Sequence, residues 1–392
     1  MVRYIFKRLI VFIPVLWVIA TITFFMVRMA PGDPFSDEKE MPEEVRDRIK
    51  AYYGLDLPLR QQYLIYLGLK SKEADKHRVK LGADENAREY RLEDANATLR
   101  VTSNGGSIAV EKLKGQGVWH VRLVENNATT APREVDVYRR GERSGLLQGN
   151  LGPSFKHKGK SVNDIIREAF PKSLELGLYA MTIALLVGIA VGSIAALKQN
   201  SILDYAPMSL AMMGICLPTF VMGPLLVLVF GLWLEWFPVA GWSAWGGAGF
   251  FPEGWPNDRV LPACTLGFFY AAMVARLTRG GMLETLNQDF IKTARAKGLS
   301  ETRVVVKHAL RGGILPTVSF LGPAFAGIIS GSFVIETIFN IPGLGRHFIE
   351  AATNRDYTLV LGTVLFYATL ILALNLIVDI LQAWLNPRMR MQ

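Results

Sequence analysis

The chain has 392 residues, 51% of them hydrophobic, and 43 Lys and Arg against 34 Asp and Glu give a net charge of +9. Half the sequence is apolar and much of it falls in runs of about 20 residues, the length that crosses a hydrocarbon core as a helix, so an ordinary soluble domain is excluded. The cations flank those runs on one side, as cytoplasmic loops do, which argues against nucleic acid as a partner.

Arg3, Lys7 and Arg8 precede an apolar run over 9–29. It is too long for a secretory leader and has no small-x-small cleavage pattern before Pro31. The region 1–29 therefore reads as a cytoplasmic N-terminus and a retained first helix. Pro31-Gly32-Asp33-Pro34 stops it, because proline cannot continue the hydrogen-bond ladder. An extracytoplasmic amphipathic segment follows at 30–69.

From 70 to 144 the character changes. TLRVTS, SIAVEKL, VWHVRLV and REVDVYR alternate apolar and polar residues, and Asn104-Gly105-Gly106 is a hairpin-type turn. These features predict a small β-rich insertion outside the membrane, whose Lys and Arg are no obstacle because long loops translocate largely regardless of charge. A linker at 145–173 leads to a core at 174–392, with apolar spans at 174–197, 207–233, 260–277, 317–339 and 358–385. The fold class expected is all-α and polytopic, with six transmembrane helices and the β-rich insertion between the first two.

Short basic loops put both termini in the cytoplasm: Lys198 follows span two, a basic stretch follows span four, and Arg388 and Arg390 follow span six. The outer loop 233–258 carries five of the eight tryptophans (Trp233, Trp236, Trp242, Trp245, Trp255), an aromatic belt or the rim of a docking surface. Pro218 and Pro224 predict a kinked or broken span three. Within the cytoplasmic loop 284–316, DFIKTARAKGLSETRVVVKHALRGGILP is polar and basic, and Gly298 separates two short helical patterns.

Catalytic constellations are missing. Gly159-Lys160-Ser161 ends like a phosphate loop, but the glycine required upstream is Ser154. The five histidines (His77, His120, His157, His308, His347) have no metal-ligand spacing, there is no Gly-x-Ser-x-Gly elbow, and Cys216 and Cys264 alone make no structural zinc site. Intramembrane acids are functional hypotheses by default. Glu336 and Asp379 sit near span ends, where solvation or ion pairing competes with a transport role. Gly327 and Gly331 form a GxxxG that suits close helix packing or a mobile pathway wall. Pro218, Thr219, Gly327, Ser330, Gly331 and Glu336 are the candidates to line or gate a pathway.

Together, these motifs resemble the inner-membrane permease subunits of ABC importers, specifically the first permease of the dipeptide/oligopeptide pair. The resemblance is carried in order by APGDP (30–34), GNLGPS (149–154), PKSLELGL (171–178), TARAKGLS (293–300), HALR (308–311), ETIFNIPGLG (336–345), RDY (355–357) and NLIVDILQAWLNPRMR at the end. It covers nearly the whole chain except about 70–144. It implies the type I importer permease fold, and it makes 284–316 the EAA-type coupling loop, with Lys292-Thr293-Ala294 where Glu-Ala-Ala would stand. Ala294, Gly298, Leu299, Ser300, Glu301 and Arg303 are then the residues in or next to an ATPase contact. The implied partners are a second homologous permease, two ATPases that bind the ATP and Mg, a periplasmic or lipid-anchored binding protein, and membrane lipid. This chain itself would hold no cofactor. The carried ligand is expected to be a peptide, although relatives of this class also move nickel chelates, opines and sugars. A self-sufficient ion-coupled carrier is the alternative, and it would want an ionisable group at the midplane. The implied location is a bacterial inner membrane.

Overall fold

A computed structural model describes residues 2–30, 32, 34–35, 42–71, 73–81, 87–92, 97–104, 107–114, 119–123, 133–140, 145–157, 159–242 and 257–385. Pro31, Asp33, Gly105, Gly106, Trp245, Trp255, Arg388 and Arg390 lie outside the described residues, as do the side chains of Arg3, Lys7, Ser330 and Gly331. The chain divides into two compact units, one of Phe35–Gly152 and one of Met1–Pro34 with Pro153–Gln392.

The first unit holds helices α2 (Glu43–Tyr53) and α3 (Leu59–Tyr66) and six strands: β1 (Glu73–Leu81), β2 (Ala87–Leu92), β3 (Ala97–Asn104), β4 (Ser107–Lys114), β5 (Trp119–Leu123) and β6 (Arg133–Arg140). They form two antiparallel three-stranded sheets, ordered β1-β6-β5 and β2-β3-β4. Alternation along β3 explains the core. Leu99 and Val101 face inward with Val79, Leu92, Val135 and Val137, while Arg100 between them reaches out to Glu89 at 2.6 Å.

The second unit is helical: α1 (Val2–Met29), α4 (Val162–Leu197), α5 (Ile202–Cys216), α6 (Thr219–Leu226), α7 (Val260–Leu286), α8 (Asp289–Ala296), α9 (Glu301–Arg303), α10 (Leu310–Gly313), α11 (Leu315–Gly331), α12 (Phe333–Ile338), α13 (Leu344–Thr353) and α14 (Tyr357–Leu385). Among the described residues, five helices are long and apolar enough to cross a membrane, or six if the bent pair Ile202–Cys216 and Thr219–Trp233 is one span. The pair is bent by 113° at the break. Leu217 precedes Pro218 and is driven to extended backbone (φ −87°, ψ 122°), which ends α5. The break is therefore far sharper than a proline kink.

α4 starts at Val162, inside the stretch expected as a linker. Ser161 and Asp164 form a reciprocal capping box, in which Ser161 accepts from the Asp164 N–H and Asp164 accepts from the Ser161 N–H. α4 and α7 run side by side in the same direction. Arg259 at the start of α7 reaches Glu175 at 3.3 Å, and further along Gly188 lies against Val274 and Gly192 against Thr278. A Cβ added at Gly188 would fall 2.6 Å from Val274, so small residues set this close approach. α1 and α14 run in opposite directions. Arg8 pairs with Asp379 near the start of one and the end of the other, and at the opposite ends the Tyr357 hydroxyl donates to the Gly32 carbonyl at 3.0 Å.

Candidate coupling hairpin and outer clamp

The segment after α7 folds back on itself as a hairpin. Asp289 opens α8 in the first turn, where a negative charge favours the helix dipole. Gly298 at φ +74° makes the reversal, and a Cβ there would meet nothing within 4 Å. Glycine is needed for its backbone and not for space. α9 then continues through a π-helical stretch, Val304–Ala309, into α10. Ile291, Ala294, Val304 and Ala309 pack with Met282 of α7 and Ala196 of α4, joined by half-buried Leu299, Val305 and Leu310. The stem is tight. A Cβ on Gly313 would fall 2.6 Å from the Met282 sulfur, one on Gly312 would fall 2.9 Å from Thr285, and the buried Thr278 and Thr317 hydroxyls lie 3.0 Å apart. The hairpin is thus a rigid extension of α7 with its own small core.

The sequence-selected residues divide between core and surface. Ala294 is buried and Leu299 half-buried, so both support the hairpin from within. Gly298, Ser300, Glu301 and Arg303 are exposed along the turn and α9. Glu301 accepts from the Arg295 side chain at 2.7 Å and so ties α9 to α8 across the turn. The three consecutive valines do not act alike, since Val304 is buried, Val305 half-buried and Val306 61% exposed. Sequence reasoning missed Phe290, which is 47% exposed on α8. Its exposure is visible only once Ile291 and Ala294 are seen to take the buried face.

At the far end of α4 and α11 the residues of ETIFNIPGLG make a buried clamp. The Glu336 carboxylate, 0% exposed, accepts from Ser173 at 2.7 Å, from Ser332 at 2.7 Å and from the Arg346 backbone N–H at 2.9 Å. Ser173 in turn accepts from the Leu344 N–H at 2.8 Å. α13 has Gly343 at its N-cap position, which offers no capping side chain, so Glu336 and Ser173 satisfy its first free N–H groups from other elements. Gly343 is required for space here, because a Cβ would lie 2.7 Å from the Ser173 hydroxyl. Asp356 does the same for α14, accepting from the Leu359 N–H at 3.2 Å, the Thr358 hydroxyl at 3.0 Å and the Ser154 hydroxyl. Ser154 of GNLGPS and Asp356 of RDY, 202 residues apart, therefore meet.

Of the pathway candidates, Pro218 is exposed and Thr219, half-buried, begins α6 at the break. Gly327 lies against the Tyr270 hydroxyl, and Glu336 is closed into the clamp. Outside the spans, His347 of α13 has its Nδ1 buried without a hydrogen-bond partner, and its ring lies 5.4 Å from that of His157. Burial first, and then the neighbouring His157, pushes its pKa below the ordinary 6.5, against a smaller opposing pull from Glu350. Among the described residues no group of three or more His, Cys, Asp or Glu side chains is placed to hold a metal.

The family model for the inner membrane component of binding-protein-dependent transport systems matches residues 188–391, and the model for its N-terminal part matches 1–81. The oligopeptide transport system permease protein OppB of Haemophilus influenzae is 38% identical over 390 residues, with 100% of both chains covered. OppB of Escherichia coli K12 is 37% identical over the same length, again covering 100% of each chain. The dipeptide transport system permease protein DppB of Bacillus subtilis is 34% identical over 391 residues, covering 100% of this chain and 99% of that one. Among solved structures, an inward-facing MetNI methionine ABC transporter aligns at 14% identity with a TM-score of 0.44, covering 57% of this chain and 96% of that one.

Proposed function

Because the chain belongs to the family of inner membrane components of binding-protein-dependent transport systems, we propose that it is the peptide-carrying permease subunit of an ABC importer and that its hairpin is the ATPase dock. It is a non-catalytic transport subunit, with hydrolysis left to partner chains. The full-length similarity to OppB and DppB carries the peptide assignment. In the complex we infer, this chain pairs with a second, homologous permease, and two ATPases bind ATP and Mg beneath the pair. A periplasmic or lipid-anchored protein delivers ligand from the other side. The insertion 70–144 would lie on that side, against the delivering protein.

The hairpin supports the docking role. Its interior is closed, so a partner meets the exposed residues, among them Phe290, Lys297, Gly298, Ser300, Glu301, Arg303 and Val306. A rigid handle continuous with α7 can convert ATPase closure into helix tilt, provided its contacts differ between two states.

We infer six crossings, a reading that the helix directions support. α4 and α7 are parallel and both end at the hairpin core, through Ala196 and Met282. The chain between them would then return across the membrane, and among the described residues the broken pair α5–α6 is what lies there, so we read the pair as one broken span and not a re-entrant loop.

The decisive experiment co-expresses the chain with its partners after replacing 298–303 by a flexible linker. Membrane insertion should persist while the ATPases no longer co-purify. Normal co-purification would refute the dock, and proteoliposomes of this chain alone that accumulated peptide on a proton gradient would refute the ABC assignment.

A further inference from the structure

Asp204 opens α5 and is 1% exposed. Its carboxylate accepts from Arg279 Nε at 2.7 Å and Arg279 Nη2 at 2.7 Å, and from the Asn200 backbone N–H at 3.0 Å. Asn200 sits at φ +63°, so the turn entering α5 adopts a strained backbone while giving that N–H to the carboxylate. This is a built two-point contact between α5 and α7, because a planar guanidinium fork fixes direction as well as distance. A half-buried pair of this kind is weak evidence for stability, since desolvation of the carboxylate offsets much of the attraction, and a role in registering two elements is the better-supported one.

Its position supplies the role. Arg279 lies on α7 two turns before the helix ends in the hairpin, level with Gly192 of α4. At the other end of α5, Gly214 presses on Phe268 of α7, with a Cβ there only 2.7 Å from the ring. α5 is thus fastened to α7 at both ends. α6 also packs on α7 but has a further attachment of its own: a Cβ added at Gly223 would fall 3.5 Å from Ile338 and 3.6 Å from Phe339, at the end of α12. Between the two attachments lies the 113° break at Leu217 and Pro218.

We propose that the Asp204–Arg279 fork is the positioning joint that makes α5 follow the hairpin, so that hairpin displacement is delivered as bending at 217–218. This rests on the hairpin being the ATPase dock. The joint and the dock fail differently, because loss of the dock removes the ATPases while loss of the joint leaves them bound and idle.

The test uses the complete transporter in proteoliposomes with peptide and its binding protein. Asp204→Asn keeps the volume and an oxygen for the Asn200 N–H but removes the charge. Arg279→Gln removes the fork, and Arg279→Lys keeps the charge without it. With Asp204→Asn and Arg279→Gln, the ATPases should co-purify as in wild type and hydrolysis should stay within about twofold. Peptide moved per ATP hydrolysed should fall about tenfold or more, within the usual span of coupling between sites, with Arg279→Lys intermediate. Unchanged peptide per ATP would overturn the proposal, and so would a parallel fall in transport and hydrolysis. Loss of assembled complex would mark the fork as a folding contact and overturn it equally.

Discussion

At the residue scale, charge placement in this chain is mostly joinery. Glu336 is an acid near the end of a span, and its partners explain why burial is tolerated: three donors converge on the carboxylate, two of them the hydroxyls of Ser173 on α4 and of Ser332 between α11 and α12. His347 is the opposite case, a half-buried ring whose Nδ1 is buried without a hydrogen-bond partner. Burial first, then His157, Arg346 and Lys172, resist its protonation, and Glu350, 3.9 Å from Nδ1, favours it. The folded state holds this histidine's pKa below 6.5, so the unfolded chain takes the proton first as pH falls. Stability contributed by neutral His347 is then complete above about pH 6.5 and declines from there down through the lower folded value. Thermal unfolding of the purified chain from pH 7 to 5 should therefore show a loss on acidification that His347→Asn reduces. Equal slopes in the two proteins would assign the acid sensitivity to other groups.

At the scale of the element, the hairpin separates two kinds of apolar residue that the sequence places side by side. Ile291 is wholly buried in the hairpin core, whereas Phe290 is 47% exposed. Ile291→Ala should destabilise the hairpin by roughly 2–5 kcal/mol, the usual range for truncating a buried aliphatic chain. It should also raise protease sensitivity at 289–313. Phe290→Ala should leave that sensitivity unchanged and weaken ATPase capture, read as a lower ATPase yield in pull-downs. If Phe290→Ala binds the ATPases like wild type, the aromatic is not part of the dock. Much of this element was legible beforehand, because Gly298 between two amphipathic stretches predicts a reversal from propensity alone. The split among Val304, Val305 and Val306 was not legible. It depends on the π-helical stretch, which shifts the helical phase over those residues. Nor was Phe290, whose exposure is decided by which face α7 and α4 cover.

Across the whole molecule, long-range pairs decide what local pattern cannot. Apolar runs marked the five continuous spans, since span length is a local property. Arg8 with Asp379, Ser173 with Glu336 and Asp204 with Arg279 join residues 371, 163 and 75 positions apart, and no periodicity foretells them. Those pairs also fix helix direction, and with it a topological consequence. Arg8 meets Asp379, so the start of α1 and the end of α14 share a level. α11 runs against α14, with Gly322 near Asn375 and Val378, so its start at Leu315, just past the hairpin, lies toward that same end. If α5–α6 is one broken crossing, the two termini and the hairpin face one aqueous side. If it were re-entrant, the number of crossings would be odd and the termini would face opposite sides. Single cysteines placed near each terminus and at Ser300, in a chain with Cys216 and Cys264 replaced by Ala, should all resist an impermeant maleimide added outside intact cells. All three should label once the membrane is opened. Labelling of one terminus from outside, with the other protected, would exclude the single broken span and remove the hinge that the Asp204–Arg279 joint is proposed to drive.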